Sequence, residues 1–209
     1  MKKNIIYTLI LSLLSLYACD YVKENEEHKN GSDQNNTEIR PQEKNHLSDT
    51  QIGEYLKLGD SIAGTAFQTL SGELKAAMGR GGVKEAVAYC NVEAYPLTDS
   101  VGEQFGVELM RVAEKYRNPD NALTDFDEKQ FAEMKAGEEK LLKLHQGNAV
   151  YYKRIDLAPQ CLSCHGDPGA DIADPDYALI KEKYPDDQAI GFQPGDLRGM
   201  WKITFSLSD

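Results

Sequence analysis

The motif that most constrains this chain is Cys161-Leu162-Ser163-Cys164-His165, towards its carboxyl-terminal end. Two cysteines separated by two residues and followed by a histidine form the sequence to which haem is attached in c-type cytochromes. This spacing lets both sulfur atoms reach vinyl groups on one edge of the porphyrin, while the histidine lies under the iron. The motif predicts one covalent haem c, attached at Cys161 and Cys164, with His165 as an axial iron ligand.

A C-x-x-C pair is also found in redox dithiols and in zinc half-sites, and it can occur by chance. The sequence has no second C-x-x-C and no H-x-x-x-H that would complete a zinc tetrahedron. A thioredoxin-type dithiol belongs in a βαβ pattern, which Pro159 and the Gly166-Asp167-Pro168-Gly169 run do not favour. Haem attachment is therefore the preferred interpretation.

The amino terminus predicts export and lipid anchoring. Met1-Lys2-Lys3 is positively charged, and the apolar stretch Ile5–Ala18 has the length of a signal peptide core rather than of a bilayer span. Leu16-Tyr17-Ala18-Cys19 resembles the lipobox of bacterial lipoproteins, although Tyr17 is bulkier than usual. It predicts cleavage before Cys19 and lipid attachment to that cysteine. An ordinary signal peptide followed by a chance cysteine is the alternative.

Three segments follow from this pattern. We predict a signal peptide at residues 1–18, a flexible lipoprotein tether at 19–49 and a haem domain at 50–209, because residues 20–50 are polar and have few apolar side chains to bury. The expected location is the periplasm or the outer membrane. The acidic residues near Cys19 resemble export tags of surface-displayed lipoproteins, but a solvated linker explains them equally well, so surface exposure stays open.

The charge of the chain narrows its choice of partner. The formal net charge is −11, and removal of residues 1–18 deletes two lysines and no acid, which gives −13. Such a negative protein is a poor binder of nucleic acid. A positively charged redox protein is a partner that this charge permits.

Cys90 is the cysteine left without a role once Cys19, Cys161 and Cys164 are assigned. It is either a small buried hydrophobic residue or the second axial ligand of the iron, since a thiolate binds haem strongly. Other potential ligands are present but have simpler explanations in the core, at a helix end or in the tether. They are Met110, Met134, Met200, His145, His28 and His46.

The hydrophobic pattern predicts helices and strands in alternation. Apolar residues recur at helical spacing from about residue 50 to 78, and Gly79-Arg80-Gly81-Gly82 ends this helix. The remaining predicted elements are a short helix from Val83 to about Cys90, helices at 127–145 and 177–184, and strands at 107–112, 149–155 and 200–207. This order indicates an α+β fold with a mainly antiparallel sheet, and it fits an all-helical cytochrome c poorly.

Four separated segments together resemble one family, and they are Ala86–Cys90, Arg117–Asn121, Cys161–Gly166 and Ala189–Gly199. They are similar in order and content to the bacterial single-haem c domain with a PAS-like fold. That domain occurs in exported cytochromes and in the sensor part of signalling receptors. The resemblance covers about residues 50 to 209. It implies a PAS-like antiparallel sheet with a long amino-terminal helix and flanking helices, and it implies that Cys90 is the distal iron ligand opposite His165.

Three functions are compatible with such a domain. One-electron transfer or redox sensing with His/Cys axial ligation is the first, and sensing of NO or CO through a partner protein is the alternative. A peroxidase-like enzyme is less favoured, because it needs an open iron face and acid-base groups. We therefore do not expect an enzyme, although weak peroxidase activity stays open.

Overall fold

The computed structural model describes residues 46–207. The predicted signal peptide, the lipid site Cys19, His28 and most of the predicted tether lie outside the described residues. His46 is exposed at the start of the described region. No helix within residues 46–207 is both long and apolar enough to cross a membrane.

A helix of 57 residues, α1 (Asp49–Phe105), begins the domain. Ser48 caps its first turn by a reciprocal arrangement with Gln51, in which the Ser48 backbone N–H donates to Gln51 Oε1 at 3.0 Å. The helix ends at Gly106, which has the left-handed conformation common at helix ends.

The glycine-rich break appears inside α1 as a kink. Gly82 has φ +69° and ψ −152°, a conformation that only glycine adopts readily. After this kink the helix continues past Cys90 and through Pro96 to Phe105. The prediction that a short helix ends at about Cys90 is therefore wrong, and Cys90 lies in the middle of a long helical segment.

Four strands form one antiparallel sheet in the order β1-β4-β3-β2. The strands are β1 (Glu108–Val112), β2 (Lys140–His145), β3 (Asn148–Asp156) and β4 (Leu197–Ser206). Side chains alternate between the two faces, so Tyr151 packs with α1 residues such as Ile62, whereas Tyr152 packs on the other face with Phe131. The sheet therefore has a core on each side.

Three shorter helices complete the domain: α2 (Asp125–Lys135), α3 (Leu162–His165) and α4 (Asp174–Lys183). The predicted helix at 127–145 is wrong beyond Lys135, because residues 140–145 form β2 and pair with β3. A tight turn at Gln146-Gly147, where both residues have positive φ, joins these two strands. The leucines of β2 satisfy either a helical or a strand pattern, and the hairpin decides between them.

This architecture confirms the predicted α+β class. A long amino-terminal helix, flanking helices and an open four-stranded antiparallel sheet agree with the PAS-like fold that the resemblance implied.

Candidate functional site

The C-x-x-C-H motif follows β3 directly. Pro159–Cys161 forms a turn of 3-10 helix, and Leu162–His165 forms α3. Both motif cysteines are partly buried free thiols. Cys161 packs against a small apolar cluster that includes Phe192, and Cys164 packs against one that includes Val87 of α1. The motif is therefore fixed between α1 and the segment that precedes β4.

His165 is oriented by a backbone carbonyl. Its Nδ1 lies 2.8 Å from the oxygen of Ala189, and because a carbonyl only accepts, Nδ1 carries the proton. Nε2 is then the unprotonated nitrogen that can bind a metal. Enclosure of the ring, followed by the charges of Arg198 and Arg117, holds the pKa of His165 well below its usual value.

The segment around Ala189 also holds the motif through its backbone. Phe192 N–H donates to the oxygen of His165 at 3.0 Å, and Gly191 N–H donates to that of Gly166 at 2.9 Å. The Phe192 ring meets the His165 ring edge-on, with centroids 6.4 Å apart. The Ala189–Phe192 part of the family signature therefore orients the histidine.

Cys90 lies on α1 one helical turn after Val87, which packs in the same cluster as Cys164. Burial raises the pKa of the Cys90 thiol, and the positive charges of Arg111 and Arg117 act in the opposite direction. Burial is the main cause that raises the pKa of Cys164, and the charge of Cys90 acts in the same direction. The turn of α1 that carries Val87 and Cys90 thus packs against the motif at Cys164, which is followed directly by His165.

The Arg117–Asn121 segment connects the site to the rest of the domain. Arg117 forms a buried ion pair with Asp187, with Nε 3.1 Å from Oδ1, and it donates to the backbone oxygens of Cys164 at 2.5 Å and Ala189 at 3.2 Å. Asn121 accepts a hydrogen bond from the hydroxyl of Tyr95 on α1 at 2.8 Å. This segment therefore contacts both the attachment motif and α1.

The Gly195–Gly199 ending carries Arg198 into the site at the start of β4. Arg198 donates from Nη1 to the oxygen of Lys115 at 3.0 Å, and its guanidinium lies 5.4 Å from the centre of the Phe192 ring. Its Nε is buried and has no hydrogen-bond partner among the described residues. Burial and repulsion by Arg117 and Arg111 lower the pKa of Arg198 to about 9.

The alternative ligands have other surroundings. Met134 and Met200 are fully buried in the cluster between the sheet and α2. His145 lies on β2 and stacks on Phe126, with ring centroids 3.8 Å apart. Met110 lines a cleft of about 320 Å³ between α1 and β1.

Sequence patterns do not indicate three residues of this site: Arg111, Tyr184 and Asp187. Arg111 lies in the predicted strand at 107–112, Tyr184 ends the predicted helix at 177–184, and Asp187 follows that helix. A half-buried arginine and an aspartate 70 residues from its Arg117 partner become visible only in the folded chain. The signal available in the sequence was a charged residue between the apolar positions of a short strand.

The fold and these segments agree with one group of known proteins. The model of the Tll0287-like family matches residues 18–206. The chain belongs to the Tll0287-like family. The crystal structure of the cyanobacterial heme-protein Tll0287 is similar to this structure, with a TM-score of 0.59 and 25% sequence identity. That match covers 78% of this chain and 99% of the Tll0287 chain. Comparison with curated proteins finds no match.

Proposed function

We propose that this member of the Tll0287-like family carries one haem, attached covalently at Cys161 and Cys164, and serves in one-electron transfer or redox sensing. His165 and Cys90 are the proposed axial ligands. The observation that carries this proposal is the convergence of Cys90 on α1 with the C-x-x-C-H motif on α3. The haem protein Tll0287, which shares the fold, supports the choice of cofactor.

The residues of the site fit a haem. Two free thiols are present at the attachment positions, and Nε2 of His165 is the ring nitrogen left available for a metal. The surroundings are a mixture of apolar side chains and arginines, which suits an apolar ring system with charged carboxylates. A bound haem supplies one-electron chemistry through its iron.

The chain's own residues determine how that chemistry is tuned. The Ala189 carbonyl fixes the ring orientation of His165 and increases its basicity as a donor. As an iron ligand, a Cys90 thiolate would bring a negative charge, which would favour the oxidised form and lower the reduction potential relative to a neutral ligand. Arg111 and Arg117 make the thiolate form of Cys90 more accessible.

Two protein ligands favour electron transfer or redox sensing over the other candidate functions. A diatomic gas has to displace Cys90, and peroxide reduction needs an open position with acid-base groups beside it. The sensing role requires a partner protein, and the negative charge of the chain suits a basic one.

We also propose that the protein is exported and anchored by lipid at Cys19. The signal-like segment precedes Cys19, and the family match starts at residue 18, so it leaves that segment out. Replacement of Cys19 by Ala should release the holoprotein from membranes without loss of haem. Equal membrane retention of the variant and the wild type contradicts the anchor.

The ligand assignment is tested with Cys90→Ala in the holoprotein. We expect the ferric spectrum to change from six-coordinate low-spin to high-spin or water-ligated, the midpoint potential to rise, and CO to bind the ferrous form faster. Met110→Leu is the matched control, because Met110 lies near the site in the cleft beside Arg111. An unchanged low-spin spectrum and midpoint potential in Cys90→Ala contradict the assignment, and a change in Met110→Leu then points to Met110 as the ligand. Haem that is released by acid and acetone contradicts covalent attachment.

A further inference from the structure

Three arginines from different parts of the chain converge on the site. Arg111 lies on β1, Arg117 follows β1, and Arg198 is the second residue of β4. The charges of all three act on His165, and those of Arg111 and Arg117 act on Cys90 and Arg198. The site is therefore strongly positive, although the whole chain has a net charge of −11.

These arginines differ in how their charges are met. Arg117 has a carboxylate partner, Asp187, whose side chain is fully buried. Arg198 donates to one backbone carbonyl, and its buried Nε donates to nothing within residues 46–207. Arg111 forms neither a hydrogen bond nor an ion pair with any residue that the structure describes, and burial lowers its pKa. Of these three guanidinium groups, only that of Arg117 is paired with a carboxylate within residues 46–207.

Such an arrangement favours the binding of an anion. Charged groups inside proteins are normally paired, and a buried donor without a partner is destabilising. The guanidinium group matches carboxylates and phosphates, to which it donates two parallel hydrogen bonds. Arg111 and Arg198 therefore mark two positions for carboxylate or phosphate oxygens.

The surroundings distinguish between possible anions. Arg111 is reached from solvent through the cleft of about 320 Å³ between α1 and β1, and Asp99, Glu103 and Glu108 line that cleft. These acids repel a free anion that approaches from solvent. An anionic group already held inside the site by covalent bonds avoids this barrier.

We propose that Arg111 and Arg198 bind the propionate carboxylates of the haem. This inference rests on the proposed function, and it adds the residues that orient the cofactor's polar edge. Arg117 has a different role, because its hydrogen bonds go to Asp187 and to the backbone of Cys164 and Ala189. Arg111 and Arg198 are accordingly positioning residues for the haem, and Arg117 supports the attachment motif.

The test compares Arg111→Gln and Arg198→Gln holoprotein with the wild type by resonance Raman spectroscopy and redox titration. We expect each variant to shift the propionate bending band and to lower the midpoint potential, because a positive charge that favours the reduced haem is lost. Arg154→Gln is the control, since the guanidinium of Arg154 is already paired with Asp156 at 2.7 Å. It should leave the propionate band in place.

Lysine variants keep the measurement possible where a glutamine variant does not fold. Arg111→Lys and Arg198→Lys retain the positive charge but cannot donate two parallel hydrogen bonds. Their midpoint potentials should therefore stay close to that of the wild type, while the propionate bending band should still shift. A propionate band that is unchanged in all four variants overturns the inference. The inference is also overturned if chloride or phosphate shifts the midpoint potential of the wild type as much as the loss of an arginine does. A free anion then occupies the site.

The two proposals fail in different ways. If the arginine variants keep a covalent, low-spin haem and an unshifted propionate band, this inference is wrong and the ligation by His165 and Cys90 stands. If Cys90→Ala has no effect on the spectrum, the ligation is wrong, and the propionate band still reports on Arg111 and Arg198.

Discussion

Arg117 is the residue that connects the most separate parts of the site. It contacts Asp187, the backbone of Cys164 and the backbone of Ala189, and its guanidinium lies 5.9 Å from the centre of the Tyr184 ring. Asp187 in turn accepts from the N–H of Ala189 at 2.9 Å. The carbonyl of Ala189 also orients His165. The ion pair between Arg117 and Asp187 therefore holds the histidine through Ala189, and it holds the backbone of the motif through Cys164.

Loss of Arg117 should therefore destabilise the protein strongly. Arg117→Met leaves the fully buried Asp187 carboxylate without a cation, and we expect a cost of about 3 kcal/mol in the free energy of unfolding. Arg117→Met combined with Asp187→Asn should cost less than the sum of the single changes.

The measurement is urea unfolding of the holoprotein, followed by haem absorbance and circular dichroism. Lys135→Met is the control, because Lys135 and Glu114 form an exposed pair whose loss costs about 1 kcal/mol or less. If Arg117→Met and Lys135→Met give equal free energies of unfolding, the buried pair has no special role.

At the scale of elements, two neighbouring residues of α1, Gly59 and Asp60, make close contacts with the sheet. Gly59 lies against the Tyr151 ring so closely that a Cβ atom there would be 2.4 Å from Cγ of the ring. Asp60 accepts hydrogen bonds from the Tyr151 hydroxyl at 2.8 Å and from Lys140 and Lys153. The close approach allows the hydrogen bonds to form.

Gly59→Ala should weaken the packing of α1 against the sheet. Tyr151 is fully buried and cannot move aside, so we expect a loss of about 1–3 kcal/mol in the free energy of unfolding. Gly72→Ala on the same helix is the matched control, since a Cβ there meets nothing within 4 Å. That change should stabilise the protein by about 0.5–1 kcal/mol. Thermal unfolding of both variants decides the point, and equal signs for the two contradict it.

Asp60 should make the attachment of α1 sensitive to acid. Partial burial raises the pKa of Asp60, but the hydrogen bonds from Lys140, Lys153 and Tyr151 outweigh it and lower that pKa to about 2. A carboxyl with a lowered pKa stabilises the folded state above its unfolded pKa of 3.8, and this stability is lost as the pH falls towards 2.

Asp60→Asn should therefore lose stability at neutral pH and show a flatter decline between about pH 4 and pH 2. The effect should be about 1 kcal/mol or less, because the pair is partly exposed and screened by solvent. Urea midpoints measured across this pH range test it, with Asp156→Asn as a control for an exposed aspartate paired with Arg154. Parallel pH profiles for wild type and Asp60→Asn contradict the prediction.

Most elements could be predicted because their patterns are local. The strand before the motif and the final strand follow from alternating apolar residues, and the glycines at 81 and 82 marked the kink. The pattern could not distinguish β2 from the end of a helix, because Leu141, Leu142 and Leu144 suit both and only the pairing with β3 decides. The predicted end of the short helix at about Cys90 was wrong, because α1 continues through Pro96 to Phe105.

The residues of the site also differ in whether a local sequence pattern indicates them. Cys161, Cys164 and His165 are contiguous and follow from a motif, whereas Cys90 needed the resemblance to a family. The role of Arg111 could not be predicted, since its importance arises from what the fold places around it: Cys90, Tyr95 and Tyr184. The contacts of Asp187 are long-range for the same reason.

At the scale of the whole molecule, the positive site lies inside a strongly acidic protein. Three arginines are enclosed near Cys90 and His165, while the whole chain has a net charge of −11. The interior charges are suited to hold anionic groups, and the exterior charges determine which partners approach. A basic redox protein, the partner proposed above, would be attracted over a distance set by the Debye length, which is about 10 Å at 0.1 M salt and about 30 Å at 0.01 M.

The rate of electron exchange should therefore depend on the charge of the partner. We expect the bimolecular rate constant for reduction by a basic redox protein to fall as ionic strength rises from about 0.01 M to about 0.3 M, because screening removes the attraction. An acidic redox protein should give the opposite slope. Stopped-flow measurements on holoprotein that lacks the lipid anchor provide the rates, and a neutral small-molecule reductant provides the control without a slope. If the basic and acidic partners give the same dependence on salt, the net charge of this protein does not select its partner.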